Sequence, residues 1–216
     1  YWTSNDGVML APRITRQLET GVKYRWNDRL DVDASLFRIR QPYQYAQPDA
    51  SAAGFTFVER GEEVHDGLEL SANGRLTEAL GVNASVALLR AHAQDTGNAA
   101  FDGQQVVNVP RMRASLHLDY ALPAMPQLAL LAGWRHAAAN PATPDGAVEV
   151  PAYDVFDAGL RYRGQLRERA FVVQLGIDNL FNRRYAGTVI VNEGNGRFFE
   201  PAAGRRLMVG VRAQFL

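Results

Sequence analysis

The chain has 216 residues, with 23 Lys or Arg balanced by 23 Asp or Glu and no Cys. That balance disfavours a strongly basic nucleic-acid binder, and no stretch approaches the roughly 18 unbroken apolar residues of a membrane helix, so a membrane reading must rest on strands. The opening residues, Tyr1-Trp2-Thr3-Ser4-Asn5-Asp6, have neither the charged nor the apolar region of a signal peptide, so an envelope protein with this start is expected to be a fragment.

Apolar and polar residues then alternate over nine runs of about ten, the period-two signature of membrane strands. In the first, Leu18, Thr20, Val22, Tyr24 and Trp26 share one face, and Gln17, Glu19, Gly21, Lys23 and Arg25 the other. Leu30, Val32, Ala34 and Leu36 set a second phase that Phe37 and Ile39 break, which a bulge or an apolar lumen contact near Leu36 would explain. Leu68, Leu70 and Ala72 oppose Glu69, Ser71 and Asn73, and Leu80 to Leu88 repeats the pattern. Met112 to Tyr120, Leu128 to Trp134, Phe156 to Tyr162 and Phe171 to Ile177 follow in turn. The last run places Leu207, Val209, Val211, Ala213 and Phe215 on one face.

Short and long connections alternate between these runs. The short ones are Asn27-Asp28, Thr77-Glu78-Ala79, residues 122–127 and residues 164–169; the long ones are residues 41–60, 93–109, 137–151 and 182–204. Outer-membrane barrels have short periplasmic turns and long outer loops, so the order assigns a side to each connection. Tyr24, Trp26, Tyr120, Tyr162, Phe171 and Phe215 all fall on the apolar face at the short-turn ends, as an interfacial girdle requires. A soluble sandwich also alternates, but its strands are shorter and its loops do not sort by length and side. The expected fold is therefore all-β: an antiparallel meander of about nine long strands, with the strands at 14–26 and 205–216 at its two edges.

Particular segments resemble TonB-dependent outer-membrane receptors. Asn179-Leu180-Phe181-Asn182-Arg183-Arg184-Tyr185 is similar to their "NLF-x-(K/R)-x-Y" signature, and Pro201-Ala202-Ala203-Gly204-Arg205-Arg206 to the element that opens their last strand. Gln17 to Tyr24 and Gly67-Leu68-Glu69-Leu70 resemble two further strands of the family. Val109-Pro110-Arg111 and Val150-Pro151-Ala152-Tyr153 resemble strand starts of its siderophore-receptor branch. The end departs from the pattern, because Leu216 follows Phe215 where the family usually stops at the aromatic.

The resemblance implies that the chain is the C-terminal part of a plugged barrel of about 22 strands, with the plug domain and N-terminal strands outside it. It implies active import of a ferric siderophore, energised through TonB, ExbB and ExbD by way of the N-terminal region, with outer-membrane lipid around the wall. Haem, cobalamin, another metal chelate or a saccharide are alternative ligands, and a passive porin is the alternative from another class. No enzyme activity, catalytic residue or cofactor is expected. His65, His92, His117 and His136 are scattered without metal-ligand spacing, and Asp95 and Asp102 do not match a calcium loop. Candidate ligand contacts are the aromatic and basic residues of the long connections: Tyr43, Tyr45, Phe55, Arg60, Phe101, Arg197, Phe198 and Phe199. Aromatics suit planar ligands and arginine an anionic chelate.

Overall fold

The period-two runs become strands that pair with their neighbours in chain order. The computed structural model describes residues 12–48, 54–167, 169–192 and 196–213, without the side chains at 48, 189–192 and 196–198. The strands are β1 (Arg16–Trp26), β2 (Leu30–Pro48), β3 (Phe55–Arg75), β4 (Leu80–Gln94), β5 (Met112–Leu122), β6 (Met125–Ala137), β7 (Asn140–Pro141), β8 (Glu149–Val150), β9 (Tyr153–Leu166), β10 (Arg169–Asp178), β11 (Ala186–Asn192), β12 (Gly196–Pro201) and β13 (Arg206–Ala213). Nine of them form one antiparallel sheet in the order β1-β2-β3-β4-β5-β6-β9-β10-β13, so β1 and β13 are its edges, as expected. No helix occurs among the described residues. The end of the last run, including Phe215, lies outside them.

Register makes the two faces different. Leu68 lies opposite Leu36 on one side and Leu88 on the other, and Leu175 lies between Leu160 and Val209. Directly paired residues share a face, so these rows join into one apolar surface. That surface is open: Leu18 is 77% exposed, Val209 74% and Leu175 46%. Soluble proteins rarely leave so continuous an apolar face uncovered; in a bilayer it is the lipid-facing wall. Tyr162 and Phe171 stand together near its short-turn edge, their rings 6.0 Å apart. Trp134, Phe156 and Phe181 stand toward the other end, where Phe156 and Phe181 meet edge-on.

The opposite face is polar and internally paired. Arg161 bridges to Asp119 at 2.5 Å, Arg135 to Asp157 at 3.2 Å and Arg206 to Asp178 at 3.1 Å. Ser85 bonds Ser115 across β4 and β5 at 2.8 Å. Phe37 is one of several apolar residues on this face, with Ile39, Leu89, Leu131, Val172 and Met208. Pairing runs without a shift past Leu36, and the Phe37 ring lies on Gly67, where a β-carbon would come within 2.2 Å of it. The phase break is therefore an apolar lumen contact and not a bulge.

Short turns close one end of the sheet. Asn27 and Asp28 have φ of 50° and 53°, and the Arg29 amide donates to the Trp26 carbonyl at 3.2 Å. Two successive positive φ values give the turn twist that matches paired strands, and Asn and Asp tolerate them. The next turn is pinned by the Leu80 amide donating to the Thr77 hydroxyl at 3.0 Å, and Glu78 reaches back to Arg29 at 3.6 Å.

The long connections carry more structure than their composition suggests. Residues 41–60, expected as a loop, are largely the continuation of β2 and β3. The register shifts between Pro42 and Gln44, and pairing then resumes to Pro48 opposite Phe55. Proline lacks an amide hydrogen, so a bulge absorbs Pro42 while Gln44 and Tyr45 rejoin the ladder. Residues 182–204 likewise contain a hairpin, β11 with β12, and β7 with β8 forms a two-residue ladder in the third long connection.

The Asn-Leu-Phe segment folds as a staple. Asn179 has φ of 52° and is 3% exposed. Its amide nitrogen Nδ2 donates to the carbonyls of Arg183 (2.8 Å) and Ala203 (3.3 Å), and its Oδ1 accepts from the Arg183 amide at 2.7 Å. Its own backbone amide donates to Asp157 at 2.8 Å. Asn182 Oδ1 accepts the Arg205 amide at 2.9 Å. One short segment thus ties the end of β10 to the start of β13 across the whole intervening excursion.

Candidate functional site

The upper parts of β2 and β3 rise beyond the lipid-facing rows and gather the first of the expected contact residues. Tyr43 and Tyr45 alternate onto one side of β2 and pack with Ala93, backed by Val58 and Phe101. The two tyrosine rings are 5.5 Å apart, and Phe101 meets Tyr45 edge-on at 5.3 Å. Tyr43 is only 8% and Tyr45 7% exposed, so these two build the site's floor more than its open surface.

A polar knot holds the connection after β4 against this floor. The Tyr45 hydroxyl donates to the Thr96 carbonyl at 3.1 Å. Fully buried Thr96 gives its amide (2.8 Å) and hydroxyl (2.7 Å) to Asp102. Those two bonds, helped by the charge of Arg60, hold the Asp102 carboxyl below the usual carboxylate range. Arg60 lies against the bare α-carbon of Gly97, at φ of 73°, where a β-carbon would come within 2.2 Å of the guanidinium carbon. The residue types are tightly constrained there: Gly97 supplies both the backbone conformation and the space.

Two cavities open around this group. One, of about 440 Å³, is lined by Tyr45, Gln47, Arg60, Asn98 and Phe101. The other, of about 340 Å³, is lined by Tyr43, Gln44, Glu63, Gln104 and Asn108, and is closed by Pro144 from the neighbouring long connection. The Asn108 amide donates to the Pro141 carbonyl at 3.1 Å, so the second and third long connections form one continuous rim. Glu63 is the charged group in the second cavity. Burial pushes its carboxyl up, but hydrogen bonds from His65, at 3.3 Å, and from Gln41 outweigh this, and the net direction is down. The Glu63 carboxyl therefore lies among amides and aromatic rings, held by Gln41 and His65.

The structure brings together Tyr43, Tyr45, Arg60 and Phe101. Phe55 sits at the tip of the same hairpin, opposite Pro48. Phe199 belongs to the separate β11–β12 hairpin, opposite Val189, and is 46% exposed. The side chains of Arg197 and Phe198 lie outside the described residues. Sequence reasoning missed Glu63 and the amides Gln44, Gln104 and Asn108, since nothing in an aromatic-and-arginine search selects an acid or an amide.

Residues 1–180 match the family model described as TonB dependent receptor-like, beta-barrel. The chain belongs to this family. Its strands are those of a bacterial outer-membrane β-barrel, in a family of receptors and transporters rather than enzymes. It is similar to the ferrichrome outer membrane transporter/phage receptor of Escherichia coli K12, 30% identical over 188 residues, which cover 85% of this chain and 24% of that protein. It is also similar to a probable TonB-dependent siderophore receptor, PiuA, of Acinetobacter baumannii, 28% identical over 83% of this chain and 24% of that one. The chain thus spans about a quarter of the length of these curated relatives. Its fold matches the crystal structure of BauA, the ferric preacinetobactin receptor of Acinetobacter baumannii, with a TM-score of 0.80 at 24% identity, over 99% of this chain and 31% of that one.

Proposed function

We propose that the chain is the C-terminal part of the barrel, about 22 strands in all, of an outer-membrane receptor that imports a ferric siderophore. In this reading a plug and the earlier strands belong to the rest of the protein, and import is driven through TonB with ExbB and ExbD. The observation that carries the reading is the rim itself. Tyr45, Phe101 and Arg60 border a cavity above the polar face of the sheet, where aromatic rings and an arginine can hold an anionic chelate. The names of the relatives, ferrichrome transporter and siderophore receptor, favour the same ligand class. No covalent step is required of any residue. The wall positions the rim, and the rim selects the cargo.

The test is uptake of ⁵⁵Fe loaded on a hydroxamate and on a catecholate siderophore by cells whose only siderophore receptor is the intact protein. Uptake of at least one should occur, vanish without TonB, and fall several-fold in Arg60→Ala/Phe101→Ala with outer-membrane insertion intact. Removing residues 192–199 should also lower uptake while leaving insertion largely unchanged. Uptake that persists without TonB, or no ⁵⁵Fe uptake from either chelate, would contradict the proposal.

A further inference from the structure

Arg60 and Glu63 stand three residues apart on β3, an odd spacing that would put their side chains on opposite faces of a regular strand. The ladder is not regular there. Glu62 lies opposite Pro42 and Glu59 opposite Gln44, so Arg60 and Gly61 together oppose Tyr43 alone. Gly61 has φ of 83°, a backbone conformation few other residues adopt, and a β-carbon on it would strike the Gln94 carbonyl. A bulge of this kind re-aims the side chains on either side of it. Here it brings Arg60 and Glu63 to the same floor. Arg60 lines the cavity of about 440 Å³, Glu63 lines that of about 340 Å³, and Tyr45 lines both.

The Glu63 cavity has one carboxylate among its lining residues and no Lys or Arg. Gln41 and His65 both hold Oε2 of that carboxylate, while Oε1 has no partner among the described residues. Arg13, whose charge reaches Glu63, donates to the Pro42 carbonyl at 3.1 Å and is not among the lining residues. Around the carboxylate stand the rings of Tyr43, Tyr45 and Phe57 and the amides of Gln44, Gln104 and Asn108. Such a set suits an alkylammonium group: a carboxylate oxygen and amide carbonyls accept its N–H bonds, and ring faces attract its charge. It does not suit a metal ion. Calcium takes about six to eight oxygens, and no group of three His, Asp or Glu able to hold a metal occurs among the described residues.

We propose that the Glu63 cavity is an ammonium subsite, and that the preferred cargo is a ferric chelate carrying a protonated primary amine, with its anionic part at Arg60 and its amine at Glu63. This rests on the import reading and adds a second charge to it. The two positions are separated by three residues of strand, roughly 10 Å, which sets the span between chelating group and amine. A chelate without the amine leaves the Glu63 oxygen desolvated and unpaired, which is how a polar site rejects an analogue that lacks a donor.

The test is ⁵⁵Fe uptake by cells whose only siderophore receptor is the intact protein. Four probes are used: a trihydroxamate and a triscatecholate, each with a pendant primary amine and each with that amine acetylated. For at least one chelate the amine form should enter roughly tenfold faster than its acetylated form at limiting concentration. Glu63→Gln keeps the shape of the side chain and should bring the two forms within about twofold of each other by slowing the amine form. Arg60→Ala should slow both forms alike. Should Glu63→Gln fail to reach the outer membrane, Gln104→Lys carries the test, since Gln104 is exposed and lines the same cavity. Its added cation should abolish the preference with insertion intact. Equal uptake of amine and acetylated forms by the wild type, or a preference that survives the substitution, would overturn the subsite while the import reading stands. Uptake of none of the four probes would contradict the import reading and this inference with it.

Discussion

Asn179 does the work of several residues at once. It adopts a left-handed conformation that costs most side chains energy but that Asn tolerates, and it satisfies the carbonyls of Arg183 and Ala203 and the Arg183 amide. Asn179→Ala should therefore destabilise the intact barrel by about 2–3 kcal/mol, because buried partners are left unpaired. Denaturant unfolding in detergent would read this; a change within error of zero would show that the loop ends are held elsewhere. Asn179→Gly relieves the backbone but not the hydrogen bonds, and should recover only part of the loss. The motif was legible in the sequence as a marker, but its role was not. The carbonyl of Ala203 is 24 residues away, beyond any local pattern.

Asp102 makes a second prediction at this scale. Its carboxyl is lowered on folding by its bonds from Thr96. A group shifted down contributes stability that is present above its unfolded pKa and lost as pH falls through the folded one. Exchange protection at the Thr96 amide, corrected for the intrinsic rate, should be flat near neutrality and decline only below the usual carboxylate range. Asp102→Asn should abolish that pH dependence. Protection that titrates near pH 6.5 in the wild type would implicate a histidine instead.

Among the elements, β10 tests the assignment of faces most simply. Leu175 sits in an outward row between Leu160 and Val209, and neighbouring Gln174 faces inward beside Arg161 and Gly210. Leu175→Arg should cost roughly 2 to 4 kcal/mol more than Gln174→Arg, the price of a cation near the bilayer midplane. Comparable folded yields in lipid vesicles would sink the assignment. Period-two alternation made the nine strands and both edges readable from sequence, because lipid on one side and water on the other act on every residue. The upper halves of β2 and β3 were not readable as strands. Pro42 and Pro48 look like breakers, and only the bulge between Pro42 and Gln44 and the packing of Tyr43 and Tyr45 on Ala93 show how the ladder survives them. For the same reason those tyrosines looked like free loop aromatics, whereas they form the floor of the rim.

At the level of the whole molecule, the sheet is a wall with two open edges. Every residue of β1 and of β13 is exposed, and neither strand has an outer partner among the described residues. Unpaired backbone groups in hydrocarbon each cost several kcal/mol, and in water such edges invite association. The 216 residues expressed alone should therefore aggregate or associate edge to edge, and monomeric insertion with ligand uptake would contradict this. The most direct measurement of the central claim, a membrane wall with lipid on one face and an aqueous lumen on the other, is a cysteine scan. The segment has no native cysteine, so a label introduced in it reports one position once any cysteine elsewhere in the receptor is replaced. Spin labels at each position from Phe171 to Ile177, in the intact receptor reconstituted in vesicles, should alternate: Phe171, Val173, Leu175 and Ile177 accessible to oxygen, and Val172, Gln174 and Gly176 accessible to a water-soluble nickel chelate or shielded from both reagents. Accessibility that does not alternate, or oxygen contact on the Gln174 face, would contradict the account.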